Sequence, residues 1–543
     1  MLFNSYEFIF AFLPLTLALF YLCGAYSAQA ARVSIICASL IFYAWWRPLN
    51  VAIIVPSILI NYVLAQRLQR LGTDAAAQRA GRITLIAGIA FNVAFLGFFK
   101  YTSFLQETSN DLFGTQFVLA HIILPLGISF ITFQKIAFLI DVHARRIERF
   151  SCADYALFVL FFPQLIAGPI VHYREVMPQF RALTARWNAT DVCVGLTMFL
   201  IGLFKKALLA DSIAPLVSSI FDRAAQGEPV SVIPAVLGAL GFTLQIYFDF
   251  SGYSDMAIGI ARLFGVRLPI NFDSPLRASS IIDYWLRWHI TLSRFLTAYI
   301  YNPLLLRLTR SRIARGKPPL NARNATLGAF LTLIGFPTLI TMFISGLWHG
   351  AGYTFIVWGL LHGVFLSVNH GWRLALAKIR KGRVIAPTWS LPGFLLTFVS
   401  VVLAMVFFKA PTLQAAWAML AGMVGAHGIG LPAALFEHLG PLQGVLEHTG
   451  GGPEAWWGAV AFLSLIGWTL LGLGIVLLLP NSAQLLARYS PALGAQPIPA
   501  GEPVKFKGLS WTPSLRWGLA LAVLGAAAIL QLGGPSEFLY WQF

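Results

Sequence analysis

The chain has 543 residues, of which 58% are hydrophobic and only 11% are charged, and its mean hydropathy is +0.74. Soluble domains carry about 25% charged residues, so this composition excludes a soluble globular protein and predicts a polytopic membrane protein. The formal net charge of +17 does not indicate a nucleic-acid partner, because the basic residues gather in short connections between apolar runs.

The N-terminal apolar segment, residues 9–22, is followed by Ala28-Gln29-Ala30, which is similar to a signal-peptidase site. However, no Lys or Arg precedes Arg32, and Glu7 occupies the place of a basic n-region. We therefore expect this segment to be a retained first membrane span.

Apolar runs of membrane length recur along the whole chain, and they predict an all-α fold in one integral membrane domain covering residues 1–543. The stretch 272–300 is amphipathic and is expected to be an interfacial or re-entrant helix. The apolar runs lie near 8–23, 32–46, 50–65, 83–99, 117–140, 154–171, 192–209, 231–248, 325–347, 353–369, 391–408, 455–479 and 516–532.

The charges of the connections predict the orientation. The basic connections should be cytoplasmic, whereas 101–116, with no basic residue, should be outside. Counting back three spans from the cytoplasmic connection 66–82 places the N-terminus outside. The Gly- and Pro-rich segment 410–455 is expected to be an exterior excursion with short amphipathic helices, and 481–515 a cytoplasmic linker. The basic connections are 66–82, 143–149, 306–323 and 373–383.

Polar groups that a plain membrane helix would avoid concentrate in residues 241–370, the core of the predicted site. An ionisable group in a hydrocarbon environment costs a few kcal/mol unless it is paired or faces a wet cavity, so such groups mark a functional site by default. The alternative is that each of them packs as a satisfied polar group between helices. Three segments carry them: GFTLQIYFDFSGYSDMAIG, DYWLRWHITLSRFLTAYIYNPL and SGLWHGAGYTFIVWGLLHG.

His349 is the first candidate catalytic residue. It lies among three glycines, Gly346, Gly350 and Gly352, which allow a backbone or a ligand to approach closely, and Trp348 supplies a flat apolar wall. A desolvated, neutral imidazole could take a proton from a hydroxyl group. A purely structural, interhelical hydrogen bond is the alternative role.

His289 is the second candidate. If the stretch is one helix, Trp285 and His289 lie at i,i+4, and so do Asp283 and Arg287, which would neutralise each other. His289 is then either a second catalytic group or an interfacial aromatic-belt residue. Trp285 and Asn302 in the same segment are further candidates for lining a substrate channel.

The remaining candidates are Asp249, Tyr253, Asp255 and His362. The two aspartates bracket Ser251-Gly252-Tyr253, which is expected to form a turn, and a structural or substrate-lining role is favoured over acid–base chemistry. His362 follows His349 by 13 residues, which does not place them on one turn, so structure is its favoured role.

Other familiar site chemistries lack their motifs in this sequence. It has no H-E-x-x-H, no P-loop, no C-x-x-C among its four cysteines, and no glycine two residues before Ser345 for a serine-hydrolase elbow. We therefore predict neither a metal site nor a tightly bound cofactor.

At these residues the chain resembles the membrane-bound O-acyltransferase family, in the bacterial branch that includes the alginate O-acetylation membrane protein. The resemblance runs through residues 1–424 and touches the C-terminus, and 425–515 departs most. It rests on the three segments above and on MLFNSYEFIFAFLPL, LGFFKY, LPLGISFITFQ, FFPQLIAGPIVHYREVMPQF, GLFKKALLAD and the ending FLYWQF.

The resemblance implies that His349 is the catalytic histidine and that His289 occupies the second polar motif position. It also implies helices around a central polar channel in a multi-pass inner-membrane protein, with acyl-CoA entering from the cytoplasm. In this branch the acyl group reaches an exported polysaccharide, usually through a separate extracytoplasmic acyltransferase. We therefore expect an O-acyltransferase that passes acetyl groups from acetyl-CoA, used as a substrate, towards such a glycan.

Two rival functions stay open at this point. A transporter with a polar midplane site would also use broken helices and buried His and Asp residues. Within the enzyme class, the rival is D-alanyl transfer to teichoic acid. A transferase consumes its acyl donor and releases the carrier, whereas a transporter moves an unaltered solute.

Overall fold

A computed structural model describes residues 1–72, 74–119, 122–321, 324–379, 390–448, 450–495, 509–534 and 539. Residues 496–508 of the predicted linker 481–515 lie outside the described residues. So do residues 380–383 of the basic connection 373–383 and all of the C-terminal motif except Leu539.

The predicted all-α membrane fold is confirmed. Across the described ranges, eight helices are long and apolar enough to cross a membrane, judged by length and composition. Ala28–Ala44 and Leu515–Leu530 are shorter apolar helices where further spans were expected. The eight are Phe8–Tyr26, Leu49–Arg70, Ala75–Phe113, Ala189–Ala225, Val232–Leu263, Leu327–His349, Leu391–Lys409 and Ala459–Leu478.

The chain divides into two compact units. Unit 1 contains Met1–Phe204, Gly252–Ile270 and Ser482–Gly534, and unit 2 contains Lys205–Ser251 and Asn271–Asn481. The helix Val232–Leu263 contributes residues to both units.

Unit 1 is built from helices at both ends of the chain. Its π-helical turn Phe8–Phe12 leads directly into the first α-helix. The helices are Leu13–Tyr26, Ala28–Ala44, Leu49–Arg70, Ala75–Phe113, Ile128–His143, Cys152–Leu160, Phe162–Leu165, Tyr173–Arg181, Ala189–Leu203, Ser482–Leu485, Ala487–Tyr489 (3₁₀) and Leu515–Leu530.

Unit 2 carries the histidines singled out above. Its π-helical turns are Phe204–Ala210, Thr297–Tyr301 and Leu331–Gly335, and its 3₁₀ turn is Pro275–Arg277. Its other helices are Asp211–Ala225, Ile281–Arg287, Ile290–Leu296, Asn302–Ala314, Leu327–Phe330, Phe336–His349, Tyr353–Ile379, Leu391–Lys409, Leu413–Met423, Ala433–Phe436, Leu442–His448 and Ala459–Leu478.

Several helices begin at a side chain that accepts a hydrogen bond from the backbone of the first turn. Such a cap satisfies one of the N–H groups that a helix start leaves without a partner. Ser280 accepts from the N–H of Asp283 at 3.2 Å and so fixes the start of Ile281–Arg287 near the candidate site. The other caps of this kind are Ser27, Asp74, Ser151, Asn188, Thr326, Ser390 and Thr412.

The expected turn at Ser251-Gly252-Tyr253 is wrong, because these residues lie inside the continuous helix Val232–Leu263. In a membrane the backbone must satisfy its own hydrogen bonds, which favours an unbroken helix over a turn. The glycine serves packing instead: a Cβ on Gly202 would meet the carbonyl oxygen of Gly252, so the two helices touch through their backbones.

The segment 410–455 forms short helices, as expected, and also a structure that the sequence analysis missed. Gly430–Pro432 and Gly452–Glu454 pair as two parallel strands, with Gly430 opposite Gly452. The helices Ala433–Phe436 and Leu442–His448 lie between the strands in the chain. This part of unit 2 is therefore ordered by backbone pairing as well as by side-chain packing.

The first part of the predicted linker is folded in unit 1. The hydroxyl group of Ser482 donates to Asp255 Oδ2 at 2.7 Å, and the N–H of Ile270 donates to the carbonyl oxygen of Leu493 at 3.0 Å. Residues 482–495 thus form hydrogen bonds with the end of the long helix and with the chain that follows it.

Candidate active site

Two antiparallel helices, Phe336–His349 and Tyr353–Ile379, place His349 at their junction. They pack closely because glycines face each other across the interface. A Cβ on Gly346 would meet the carbonyl oxygen of Phe355, and a Cβ on Gly359 would meet the carbonyl oxygen of Met342. The predicted role of glycine in close backbone approach is therefore confirmed for Gly346.

His349 is buried among aromatic rings, with 4% of its surface exposed. The centroids of the Trp348, Trp358 and Phe408 rings lie 4.9, 5.0 and 5.2 Å from the centroid of the imidazole. This setting removes bulk water from around the imidazole and gives it apolar walls on several sides.

His289 lies at a sharp bend and not inside a helix. It is in the left-handed region, with φ +42°, between Ile281–Arg287 and Ile290–Leu296. The expected continuous helix with Trp285 and His289 at i,i+4 is therefore wrong. The predicted pair of Asp283 and Arg287 is present, with 2.8 Å between Arg287 Nε and Asp283 Oδ1.

Asn271 holds the bend through its side chain and its backbone. Its Oδ1 accepts from the hydroxyl group of Thr291 at 2.8 Å and lies 3.0 Å from Nδ1 of His289, while its carbonyl oxygen accepts from the N–H of Ile290 at 2.9 Å. A left-handed conformation is costly for a residue other than glycine, and it persists only where the surroundings determine it. The contacts with Asn271 therefore hold the bend and fix the orientation of the His289 imidazole.

The hydrogen bond to Asn271 selects one tautomer of His289. Because Asn271 Oδ1 can only accept, Nδ1 of His289 donates, and Nε2 of the neutral ring carries the lone pair. His289 lies outside the eight candidate spans and is fully buried, and this burial lowers the pKa of its imidazole to about 3. The ring is thus neutral at physiological pH.

The structure brings His289 and His349 together. Their ring centroids are 6.3 Å apart, and the Trp348 ring lies 5.9 Å from His289. The Phe250 ring meets the His289 imidazole edge-on at 4.7 Å. Two imidazoles from separate segments of the chain therefore share one aromatic enclosure in unit 2.

His362 belongs to the same aromatic cluster but not to the pair. Its ring lies 4.9 Å from that of Trp358, which in turn contacts His349. The indole N–H of Trp285 donates to Nδ1 of His362 at 3.3 Å. This contact supports the structural role expected for His362 and gives Trp285 a partner that helical spacing did not predict.

Asp249 takes part in a buried ion cluster. Lys206 Nζ lies 2.7 Å from Asp249 Oδ1 and 2.5 Å from Asp211 Oδ1, and Lys206 is fully buried. Lys206 and Asp211 lie in the GLFKKALLAD motif, but the motif alone does not reveal that they meet Asp249. A buried cation between two carboxylates offsets much of their desolvation cost.

The other three candidates have surroundings of their own. Tyr253 and Asp255 make their described contacts within unit 1: the Tyr253 ring stacks on Phe3 at 4.7 Å, and Asp255 accepts from Ser482. Asn302 is exposed at the first position of Asn302–Ala314.

Asn271, Trp358 and Ser345 are parts of the site that the sequence did not predict. Ser345 is fully buried one helical turn before His349, and its Oγ has no hydrogen-bond partner among the described residues. The i,i+4 spacing of Ser345 and His349 is a signal that could have revealed it. Nothing local could have revealed Asn271, because its partner is 18 residues away.

The membrane-bound O-acyltransferase family model matches residues 91–315, a range that includes His289 but not His349. A peptidoglycan O-acetyltransferase from Helicobacter pylori is 41% identical over 460 residues, which cover 79% of this chain and 81% of that protein. The chain belongs to the membrane-bound O-acyltransferase family. It is accordingly a multi-pass membrane O-acyltransferase.

Two further relatives of this O-acyltransferase extend the comparison. A probable alginate O-acetylase AlgI from Pseudomonas putida is 33% identical over 559 residues and covers all of both chains. A teichoic acid D-alanyltransferase from Streptococcus thermophilus is 26% identical over 294 residues, covering 52% of this chain and 68% of that protein.

Proposed function

We propose that this O-acyltransferase moves acetyl groups from acetyl-CoA on the cytoplasmic side of a bacterial inner membrane towards hydroxyl groups of an exported polysaccharide. The observation that carries the proposal is the pair of buried imidazoles, 6.3 Å apart in an aromatic enclosure of a membrane O-acyltransferase. The relatives with the greater identity and coverage are named as O-acetylating proteins of peptidoglycan and alginate.

In the proposed reaction His349 acts as the general base. Its imidazole takes the proton of the accepting hydroxyl group while the oxygen attacks the thioester carbonyl carbon. The new C–O ester bond forms, the C–S bond breaks, and the proton passes from the imidazolium to the sulfur of the leaving CoA. The aromatic enclosure excludes water, which would otherwise compete as the acceptor.

His289 has a different role in this scheme. Its Nδ1–H is held by Asn271, so Nε2 is the hydrogen-bond acceptor of the ring. An acceptor beside the general base positions the hydroxyl group for attack. Asp249, paired with Lys206, is assigned to holding the fold of this unit, and Trp348 to lining the channel.

The acetyl group is favoured over D-alanine on the strength of the comparisons. The O-acetylating relatives are 33% and 41% identical over more than three quarters of this chain, whereas the D-alanyltransferase is 26% identical over about half of it. A pure transporter is disfavoured by the O-acyltransferase family model.

The proposal includes a separate extracytoplasmic acyltransferase as the partner. The described part of 410–455 consists of short helices and two three-residue strands, which is too little to form an acyltransferase domain with a core of its own. We assign this segment to the exterior face, with the N-terminus also outside, as the docking region for that partner.

The direct test is to feed acetyl-labelled acetyl-CoA to membranes that contain the protein and to fractionate the envelope polymers. The expected result is alkali-labile label in a polysaccharide fraction together with release of free CoA. Membranes containing the His349→Ala variant provide the control. Label from D-alanine but not from acetyl-CoA would contradict the acetyl assignment, and an unaltered labelled solute on the far side would indicate transport.

A further inference from the structure

A cavity lies in unit 2 beside the paired strands of the 410–455 segment. It has a volume of about 360 Å³, within the range of roughly 300–1,000 Å³ typical of small-molecule sites. The catalytic scheme above uses none of its lining residues, which are Arg223, Pro229, Ser231, His427, Pro453, Glu454, Ala455 and Trp456.

The cavity has a buried floor and an exposed rim. Ser231 is buried and donates its hydroxyl hydrogen to Oε1 of Glu454. A Cβ on Gly430 would occupy the position of the Glu454 carboxylate, so this strand glycine makes room for the carboxylate to reach the floor. His427 and Pro229 are exposed at the rim. A segment of a longer molecule can therefore enter from outside.

Two buried polar atoms at the cavity lack hydrogen-bond partners among the described residues. One is an acceptor, Oε2 of Glu454, and the other is a donor, the indole Nε1 of Trp456. A buried polar atom without a partner is destabilising, so a ligand that supplies both a donor and an acceptor gains by binding there. A hydroxyl group supplies both.

The aromatic wall is held rigidly. Trp456 stacks on Trp457 with 5.4 Å between ring centroids and 8° between the ring planes, and the buried Trp457 is packed edge-on against Phe462. The guanidinium carbon of Arg223 lies 4.8 Å from the centroid of the Trp456 ring. A pre-ordered aromatic side chain loses little entropy when a ligand packs against it.

The charges of the cavity disfavour an anionic ligand. Arg223 is already paired with Glu228 and donates its Nε–H to the carbonyl oxygen of Pro229 at 3.0 Å. The carboxylate of Glu454 then leaves the three ionised side chains with a formal charge of −1. A uronate or phosphate group entering the cavity would meet the Glu454 carboxylate, while the Arg223 guanidinium that lines the cavity is already paired with Glu228.

We infer that this cavity binds the sugar rings of an uncharged glycan. A pyranose carries hydroxyl groups that both donate and accept, and apolar C–H faces that suit the proline and tryptophan walls. The inference rests on the proposed function in taking a glycan as the acetyl acceptor. It adds a glycan-binding site that includes residues 427–456, and it predicts that the site prefers uncharged over acidic polymers.

The test measures binding to the full-length protein in lipid nanodiscs by isothermal titration calorimetry. The probes are the uncharged N-acetylglucosamine tetramer chitotetraose and the acidic tetramer of mannuronate. Wild type should bind chitotetraose at least tenfold more tightly than tetramannuronate. No chitotetraose binding by monodisperse wild type, or equal binding of the two probes, would overturn the inference.

Two variants locate the binding in the cavity. Trp456→Ala should weaken chitotetraose binding about tenfold or more, as expected for an aromatic anchor, whereas Trp417→Ala, which removes a 61% exposed tryptophan of Leu413–Met423, should leave it unchanged. Glu454→Gln keeps the shape of the side chain and should reduce the ratio of the affinity for chitotetraose to the affinity for tetramannuronate. Equal loss in Trp456→Ala and Trp417→Ala, or an unchanged preference in Glu454→Gln, would contradict the assignment.

The failure of this inference can be separated from the failure of the proposed function. If chitotetraose does not bind while labelled membranes still show His349-dependent acetylation, the cavity assignment is wrong and the function stands. If chitotetraose binds through Trp456 while no acetyl transfer is detected, the function is wrong and the cavity assignment stands.

Discussion

At the scale of single residues, the buried imidazoles of His349 and His362 have different expected sensitivities to mutation. His349→Ala removes the proposed proton acceptor, and the rate of acetyl transfer should fall roughly 10²- to 10⁴-fold while the protein remains inserted and abundant. His362→Ala removes a structural contact with Trp285 and should lower the yield of folded protein more than the rate per folded molecule. Labelled-acetate incorporation, normalised to purified protein, separates the two effects. Wild-type product levels in His349→Ala would contradict the catalytic assignment.

Asn271 offers a second test, because it is a positioning residue for His289. Asn271→Ala leaves the imidazole without its orienting partner, and the turnover number should fall by up to roughly 10²-fold, the cost of misplacing a reacting group by about 1 Å. The KM for acetyl-CoA should change much less. A change in KM with an unchanged turnover number would contradict the positioning role.

The conservative variant Asn271→Asp should change the pH dependence of the acetyl-transfer rate. A carboxylate beside His289 favours the imidazolium, so it raises the pKa of His289 from its burial-lowered value of about 3. Because the scheme needs a neutral His289, the acid limb of the rate profile should move to higher pH in the variant, with activity recovering as the pH rises. A profile identical to that of wild type would argue that His289 does not act through Asn271.

At the scale of the elements, the ion cluster of Lys206, Asp211 and Asp249 should stabilise unit 2. Lys206→Met leaves the buried Asp249 carboxylate without its cation, at a cost of about 3–5 kcal/mol. The double variant Lys206→Met with Asp249→Asn removes both charges and should recover most of that stability. Thermal unfolding of detergent-solubilised protein measures both. An equally unstable double variant would show that the pairing is not the cause.

The length of Ala75–Phe113 makes the orientation testable. Its 39 residues extend about 58 Å at 1.5 Å per residue, well beyond the ~30 Å hydrocarbon core, so the proposed topology places its two ends on opposite sides of the bilayer. In a background lacking the four native cysteines, a cysteine at Asp111 should react with an impermeant thiol reagent in intact cells. Cysteines at Gln78 and Lys317 should react only after permeabilisation. Labelling at Lys317 from outside would reverse the assignment.

These elements also show what the sequence could and could not predict. Hydropathy located the long spans because membrane helices are set by run length, and the glycines around His349 indicated close packing because only glycine permits it. The break at His289 could not be read locally, since it depends on Asn271, 18 residues earlier. The turn expected at Gly252 was wrong because local turn chemistry is overridden where the membrane favours an unbroken helix.

At the scale of the whole molecule, the proposal is a relay in which the membrane protein transfers the acetyl group from CoA to a hydroxyl group presented by a separate acyltransferase, which then passes it to the glycan. Deleting 425–450 removes the first strand and the two short helices of the 410–455 segment, which are proposed to face outward. Glycan acetylation should be lost while the membrane spans remain folded. Release of CoA from acetyl-CoA should stop as well, because the acetyl group then has no accepting hydroxyl group.

The proteoliposome experiment tests the central claim most directly. Purified protein is reconstituted in sealed liposomes with labelled acetyl-CoA inside and the polysaccharide acceptor outside, with and without the extracytoplasmic acyltransferase. The account predicts CoA release inside and labelled polymer outside only when both proteins are present, and neither product with His349→Ala. Efficient labelling of the polymer by the membrane protein alone would contradict the relay, and undiminished labelling by His349→Ala would contradict the catalytic site itself.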